Sequence, residues 1–376
     1  MINIHIYPSP LLNDSRILRE ARSIASFSFF KHIELVGMGR SDLLATEELQ
    51  HDIRIVRLGK LNPQRRFWAK IANMVFWSFI VFVKYRNKQV SCINCHGVKV
   101  LPLSVLLKYS IGGAKLVYDA HELETETIGL HGFRKWITKQ VERLLIRKAD
   151  HCVFVGRAIE EWYIQQYGLD NTTVLYNCPT YKDTQQSNYF REKYAVPIEK
   201  SIFLYQGGID EGRGITLLIK AFSHLADRAV LVIMGYGTLK DWVISQTKKY
   251  QNIHYHDAVH PDKLLDYTCC TDYGLSVIED TSMSYKYCMP NKLFEYIMAK
   301  KPVLVSPTIE QRNFVIRYGV GEVAIDFSTE AIQQAALKLI DSSPSVYEVG
   351  INRVRDEYNW EVQEKKLKDI YSKIIR

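Results

Sequence analysis

At 376 residues, 47% of them hydrophobic, the chain is long for one core, and two domains of roughly 150–200 residues are expected. No run reaches the ~18 uninterrupted apolar residues of a membrane span, and MINIHIYPSP lacks the basic-then-apolar pattern of a signal peptide, so a cytoplasmic protein is expected. Seven cysteines without framework spacing exclude a disulfide scaffold, and Cys92-x-x-Cys95 has no second pair at metal-ligand spacing. The net charge of +8 is uneven: from Ile53 through Tyr118 there is no acidic residue, while Arg54, Arg57, Arg65, Arg66, Lys84 and Arg86 all fall in that window. One-sided charge of this kind predicts attraction to an anionic surface. No nucleic-acid recognition motif accompanies it, so nucleic acid is not an expected partner.

In chain order, INIHIY reads as a strand, SPLLNDSR as a loop, and residues from about Ser15 to Ser26 as a helix that Asp14 is placed to cap, with Arg16 in its first turn. Strand, loop and helix in this order open a doubly wound sheet, which HIELVGM and IRIVRL continue. Residues 63–88 have a Phe-, Trp- and Val-rich middle and basic ends, which read as an interfacial helix with both Trp68 and Trp77 facing outward, the alternative being a helix packed in the core of the domain. VSCINCHG brings His96 to a strand end, and KLVYD stops abruptly at Asp119, His121 and Glu122. In open α/β sheets ligands gather beyond the carboxyl ends of strands, so these groups form a candidate site. A metal is not expected there, because no H-x-x-x-H or D-x-D spacing exists. Residues 131–149 read as an amphipathic helix with Phe133, Ile137, Leu144 and Leu145 on one side and a basic face on the other.

The polar stretch TYKDTQQSNYFREKYAVPIEK has linker composition and places the domain boundary at 182/183. Beyond it the alternation restarts with strand SIFLYQ, loop GGIDEGRG and helix ITLLIKAFSHLA. Gly207, Gly208, Gly212 and Gly214 let backbone approach a ligand, and Arg213 offers forked donors for phosphate oxygens. Later, SYKYCMPNKLFEYIMAKKPVL sets a Pro-Asn-Lys turn before a short helix, which points free N–H groups and a positive dipole end at an anion. Lys292 adds charge there, and Glu295 is suited to accept from paired sugar hydroxyls. The alternative is an ordinary helix start with a surface Lys and Glu.

Two alternating halves with these loops resemble the GT-B glycosyltransferases, specifically the retaining family 4. NDSRILREA, VYDAHELETE, VLYNCP, LYQGGIDEGRGITLLIKA and PNKLFEYIMAKKPVL carry the resemblance over nearly the whole chain, by their order and spacing more than by any one of them. It implies an α/β architecture of two Rossmann-like domains facing a central cleft: residues 1–182 for the acceptor, 183–356 for a nucleotide-sugar, and a terminal helix 357–376 packing back on the first. It further implies that Arg213 and Lys292 contact the donor diphosphate, with Asn291 and Leu293 as further donors, and that Glu295 holds the ribose. Gly235 and Gly237 would match the family's G-x-G turn, the segment around Ala258–Val259 would border the base, and His121 would face the transferred sugar. Asp14, Arg16, His96 and Glu122 fall on the acceptor side.

Two positions depart from the family: its usual sugar-binding Glu corresponds to Tyr287, and an Arg of the phosphate loop to Gly208. The resemblance implies a metal-independent retaining transferase without cofactor, using a UDP-sugar as co-substrate and a lipid-linked glycan of bacterial surface polysaccharide as acceptor. An anionic membrane surface, reached through residues 54–88 and 131–149 on the inner face of the cytoplasmic membrane, and partner glycosyltransferases complete the expected partners. The other class of reading is a non-catalytic GT-B-shaped subunit, for which Tyr287 and Gly208 are the motive.

Overall fold

The computed structural model describes residues 1–12, 14–50, 52–60 and 67–375. Asn13, within NDSRILREA, and the basic residues Arg65 and Arg66 therefore lie outside the described residues. The chain divides into two compact units, Met1–Leu175 with Glu364–Arg376, and Tyr176–Gln363. The division precedes the expected 182/183 because the linker-like stretch is fastened to the second unit. Tyr176 packs edge-on against Phe294 and Tyr358, Tyr181 N–H donates to Glu361, and Arg355 donates to the Lys182 carbonyl and the Asp183 carboxylate. The return falls at Gln363/Glu364 for the same reason: Trp360 N–H reaches the Pro179 carbonyl at 2.8 Å. Beyond it, in helix Trp360–Ile374, Tyr371 donates to Asn94 and packs on Phe30 in the first unit.

The first unit carries an eight-stranded sheet of β1 (Ile2–Ile6), β2 (His32–Met38), β3 (Thr46–Gln50), β4 (Ile53–Leu58), β5 (Val90–His96), β6 (Lys115–Ala120), β7 (His151–Phe154) and β8 (Thr172–Val174), in the order β3-β4-β2-β1-β5-β6-β7-β8. All pairs are parallel except β3 with β4. The parallel strands are near-continuous apolar runs because helices cover both faces. β3, reading TEELQ, gives no such signal: it is a charged edge strand, the kind of edge that resists pairing with another chain. The order reverses between β1 and β5, and ligands gather at such a point in open α/β sheets.

The second unit holds β9 (Ser201–Gly208), β10 (Ala229–Tyr236), β11 (Ile253–Asp257), β12 (Tyr273–Ser276), β13 (Val303–Val305) and β14 (Gly321–Val323), all parallel, ordered β11-β10-β9-β12-β13-β14. That is the six-stranded Rossmann order, with its reversal between β9 and β12.

Three local expectations are corrected. Asp14 makes no side-chain cap to helix Ser15–Ser26; its carboxylate instead accepts from the Ser9 hydroxyl at 2.7 Å. In helix Phe67–Tyr85, Trp68 is 77% exposed but Trp77 is buried and donates its Nε1–H to the Gly37 carbonyl. Trp77, Val81 and Tyr85 recur every four residues on the core side, while Trp68, Ile71, Val75, Phe79 and Val83 form the opposite, exposed stripe. Helix Gly132–Leu145 is inverted: its one buried side chain is Glu142, and Phe133, Trp136, Ile137 and Leu144 face outward. Glu142 is held by the hydroxyls of Tyr118, Tyr163 and Tyr167 at 2.7–2.8 Å, and Lys135 and Lys139 both pair with Glu126. The hydrogen bonds of Glu142 tie this helix to β6 and to helix Arg157–Tyr167. No helix among the described residues is long and apolar enough to cross a membrane.

Candidate functional site

In the first unit, the ends of β1, β5 and β6 deliver His5, His96 and Asp119 to the reversal point, and the loop after β6 adds His121. Arg16 grips Asp119 with two bonds, Nε to Oδ2 at 3.1 Å and Nη2 to Oδ1 at 2.8 Å, and donates a third to the Leu175 carbonyl. His96 Nδ1 and His121 Nε2 reach the same Asp119 Oδ2 at 3.0 and 3.1 Å, and His5 Nδ1 meets His96 Nε2 at 2.9 Å. Burial alone would raise the Asp119 carboxyl, but Arg16 and then His121 and His96 hold it well below the usual carboxylate range. His121 moves the other way: burial would lower it, yet Asp119 raises it above the ordinary imidazole value. Burial and the nearby Asp119 charge push Glu20 up to about 8, and burial pushes Glu124 up to about 7.

Two of the four residues placed on the acceptor side are thereby reassigned. Arg16 and His96 are 5% and 1% exposed and spend their donors inside the protein, so neither is placed to meet an acceptor directly. Asp14 is half-buried against Ser9, and Glu122 is exposed. His5, Glu20 and Glu124 were not singled out from the sequence, since a histidine inside a strand and a glutamate inside a helix give no signal before the topology brings them together. Among the described residues His5/Glu20/His96 and His96/Asp119/His121 bring ligand-type atoms within 4.8 Å of one another. Arg16 contacts both carboxylates, so an incoming cation would meet a guanidinium, although His5 Nε2 and Glu20 Oε1 have no hydrogen-bond partner among the described residues.

In the second unit, the turn after β9 and the helix Asn291–Met298 meet at the reversal point. Lys292 is not a surface residue: it is 8% exposed, its Nζ lies 3.6 Å from the centroid of the Tyr205 ring, and it has no hydrogen-bond partner among the described residues. Burial, with Arg213 beside it, holds its pKa well below the ordinary 10.5. Arg213 stacks over Tyr285 at 4.8 Å, and its guanidinium makes no hydrogen bond among the described residues. Two neighbouring cations stabilised by ring faces rather than carboxylates make an anion-seeking pair.

Gln206, 1% exposed and absent from the sequence reading, organises the rest. Its amide donates to Glu295 at 2.6 Å, accepts from Thr268 at 2.8 Å, and its backbone N–H donates to the Tyr296 hydroxyl. Glu279 ties down the glycine loop by accepting from Gly214 N–H and donating its own N–H to the Gly212 carbonyl.

The expected donor residues divide. Gly207 is exposed at φ 117°, with the Lys292 side chain passing 4.0 Å from where a Cβ would stand, so it belongs to the site. Gly208 accepts the Tyr205 hydroxyl at 2.6 Å. At Gly235 and Gly237 a Cβ would overlap the carbonyl oxygens of Gly207 and Ile209, so close approach of neighbouring chain requires these glycines whether or not a nucleotide binds. Asn291 is exposed at the helix start, but Leu293 is no free donor: its side chain is fully buried and its N–H donates to the Pro290 carbonyl at 3.1 Å. Tyr287, half-buried after the four-residue helix Met283–Lys286, makes no side-chain hydrogen bond among the described residues.

Residues 200–342, within the second unit, match the family model described as glycosyl transferases group 1. Among curated proteins none matches the chain. Solved structures align along both chains: sucrose-phosphate synthase from Thermosynechococcus elongatus at TM-score 0.81 and 15% identity, covering 99% of this chain and 98% of that one. Anabaena Alr3699/HepE in complex with UDP-glucose aligns at TM-score 0.76 and 12% identity, covering 99% and 100%. WaaG, a glycosyltransferase involved in lipopolysaccharide biosynthesis, aligns at 0.67 and 13%, covering 98% and 99%. At these identities the likeness establishes the fold, which is GT-B with two Rossmann-like domains.

Burial lowers the Lys292 pKa, and an anion settling beside it raises that pKa in the bound state only, so binding takes up protons over the pH range between the two values. Affinity is then full below the depressed free-state pKa and falls as pH rises through the bound-state value. Calorimetric titration of UDP in two buffers of different ionisation enthalpy is expected to show net proton uptake that Lys292→Met abolishes. Identical heats in both buffers would contradict it.

Proposed function

We propose that the chain is a retaining, metal-independent glycosyltransferase that moves a sugar from a nucleotide-sugar, a UDP-sugar in the first instance, to a hydroxyl of a lipid-linked glycan in bacterial surface-polysaccharide synthesis. The observation that carries this reading is the buried Lys292 ammonium, without a hydrogen-bond partner among the described residues, beside Arg213 at the Rossmann reversal point. A buried cation without an acceptor is costly unless a ligand supplies one, and a diphosphate supplies several oxygens at once. The group 1 domain match over this same unit and the UDP-glucose in the HepE structure support a nucleotide-sugar as that ligand. The WaaG likeness supports a surface-polysaccharide role.

In this reading Lys292, Arg213 and the first free N–H groups of helix Asn291–Met298 take up negative charge on the departing diphosphate. Electrostatic stabilisation at the point where charge develops is the main service such a site performs. The charge a metal would otherwise bring is supplied by the two side chains. Glu295, oriented by Gln206, receives the ribose hydroxyls. His121 is the first unit's contribution to the transferred sugar, while Asp14 and Glu122 remain for the acceptor. Arg213→Ala and Lys292→Ala are each expected to cost about 3–4 kcal/mol of barrier, roughly a hundredfold or more in kcat, with unchanged circular dichroism. Near-normal transfer by either variant removes the phosphate assignment.

The first unit's surface supports the lipid-linked acceptor. Trp68, Val75, Phe76 and Phe79 stand exposed beside Lys70, Lys84 and Arg86, and the outward Phe133 and Trp136 stack on each other beside Arg134. Exposed aromatics flanked by basic residues suit the inner face of the cytoplasmic membrane, where each basic side chain near anionic lipid contributes on the order of 1 kcal/mol. Partner glycosyltransferases would share that surface. Sedimentation with vesicles is expected to be strong with anionic lipid and weak with zwitterionic lipid alone, and to fall in a Trp68→Ser, Phe79→Ser, Trp136→Ser variant. Equal binding to both vesicles, or none, removes the membrane assignment.

A further inference from the structure

The polar cluster at the end of β1, β5 and β6 has a fixed direction of hydrogen bonding that can be read from its chemistry. Arg16 can only donate, and it places two N–H groups on Asp119, which is therefore the ionised acceptor of the group. An ionised carboxylate accepts only, so both ring nitrogens that reach its Oδ2, His96 Nδ1 and His121 Nε2, carry hydrogen. The 3.2 Å approach of those two nitrogens to each other is then a meeting of two donors turned to one shared oxygen.

His96 is fully enclosed and neutral, so hydrogen on Nδ1 leaves Nε2 bare, and among the described residues the hydrogen-bond partner of that lone pair is His5 Nδ1 at 2.9 Å. His5 must donate there, which leaves its own Nε2 bare. That atom is the buried His5 nitrogen with no hydrogen-bond partner among the described residues, as the direction of the chain requires. Bonding thus runs His5 to His96 to Asp119, and from the other side His121 to Asp119. His121 has spent Nε2 on the protein, its side chain is 26% exposed, and its Nδ1 has no partner among the described residues.

We propose that Arg16, Asp119, His96 and His5 are positioning residues that lock the direction of this hydrogen-bond chain and so present His121 to substrate through Nδ1 alone. The proposal rests on the reading that His121 meets the transferred sugar. Below its titration midpoint His121 offers an Nδ1–H donor to a sugar hydroxyl, and above it a lone pair; Nε2 stays on Asp119 in both states. The charged and titratable groups that face it are Tyr7 after β1, Arg16 and Glu20 from helix Ser15–Ser26, His96 from β5, Asp119 from β6, and Glu122 and Glu124 from its own loop.

Two measurements on the full chain decide it. Long-range nitrogen–proton correlation spectra of histidine-labelled, donor-free protein are expected to show His5 and His96 as Nδ1–H tautomers and His121 bonded through Nε2–H. His5 or His96 as the Nε2–H tautomer would overturn the chain. In transfer assays, His121→Asn, whose amide stands near the ring Nδ1 position, is expected to keep at least about tenfold more kcat/KM than His121→Gln, whose amide stands near Nε2. His96→Asn, which keeps an N–H for Asp119, is expected to retain most activity, whereas His96→Leu loses up to about a hundredfold through misplacement of His121. Equal losses within either pair would overturn the positioning role. The expected tautomers in a wild-type protein without transfer activity would uphold the chain's direction and strike the transfer reading instead.

Discussion

All strands of a parallel sheet end on the same side, and where the strand order reverses, the loops leave in opposite directions and the strand ends stay uncovered. Both units of this protein have one such place, between β1 and β5 and between β9 and β12. The chemistry of the molecule is arranged around that constraint. His96, Asp119 and His121 collect at the first reversal, and Gly207, Gln206, Lys292 and Glu295 at the second.

The two places are opposite in electrostatic character. At the first, Arg16, Asp119 and three imidazoles satisfy one another almost completely, which fixes geometry and leaves one exposed ring nitrogen as the outlet. At the second, the Lys292 and Arg213 side chains lie over tyrosine rings and lack hydrogen bonds among the described residues, so the site is short of negative charge until something brings it. A satisfied network suits orientation, and an unsatisfied pair of cations suits binding of an anion.

Much of this was legible in the sequence because it rests on local signals. Strand-loop-helix alternation gave both doubly wound halves, and the Pro-Asn-Lys turn located the helix start that carries Lys292. What stayed hidden depends on contacts distant in the chain. Gln206 and Glu295 are 89 residues apart, and His5 and His96 are 91 apart. Composition also misled where a polar group faces inward. Trp77 looked like its exposed neighbour Trp68 until Gly37 supplied an acceptor, and helix Gly132–Leu145 turns Glu142, rather than its leucines, toward three tyrosines. Arg16 and His96 read as accessible polar groups because nothing in their own segments shows that Asp119 claims both.

The central claim is that the second unit holds a nucleotide diphosphate on Lys292 and Arg213. A thermal-shift panel of nucleotides and sugar nucleotides tests it most directly, since a ligand at a hundred times its Kd stabilises the folded state by about 2.7 kcal/mol, or roughly 5 °C or more for a unit of this size. The account predicts such a rise with a uridine diphosphate or its sugar conjugate, and its loss in Lys292→Ala. No shift with any nucleotide, or an equal shift in the variant, would contradict it.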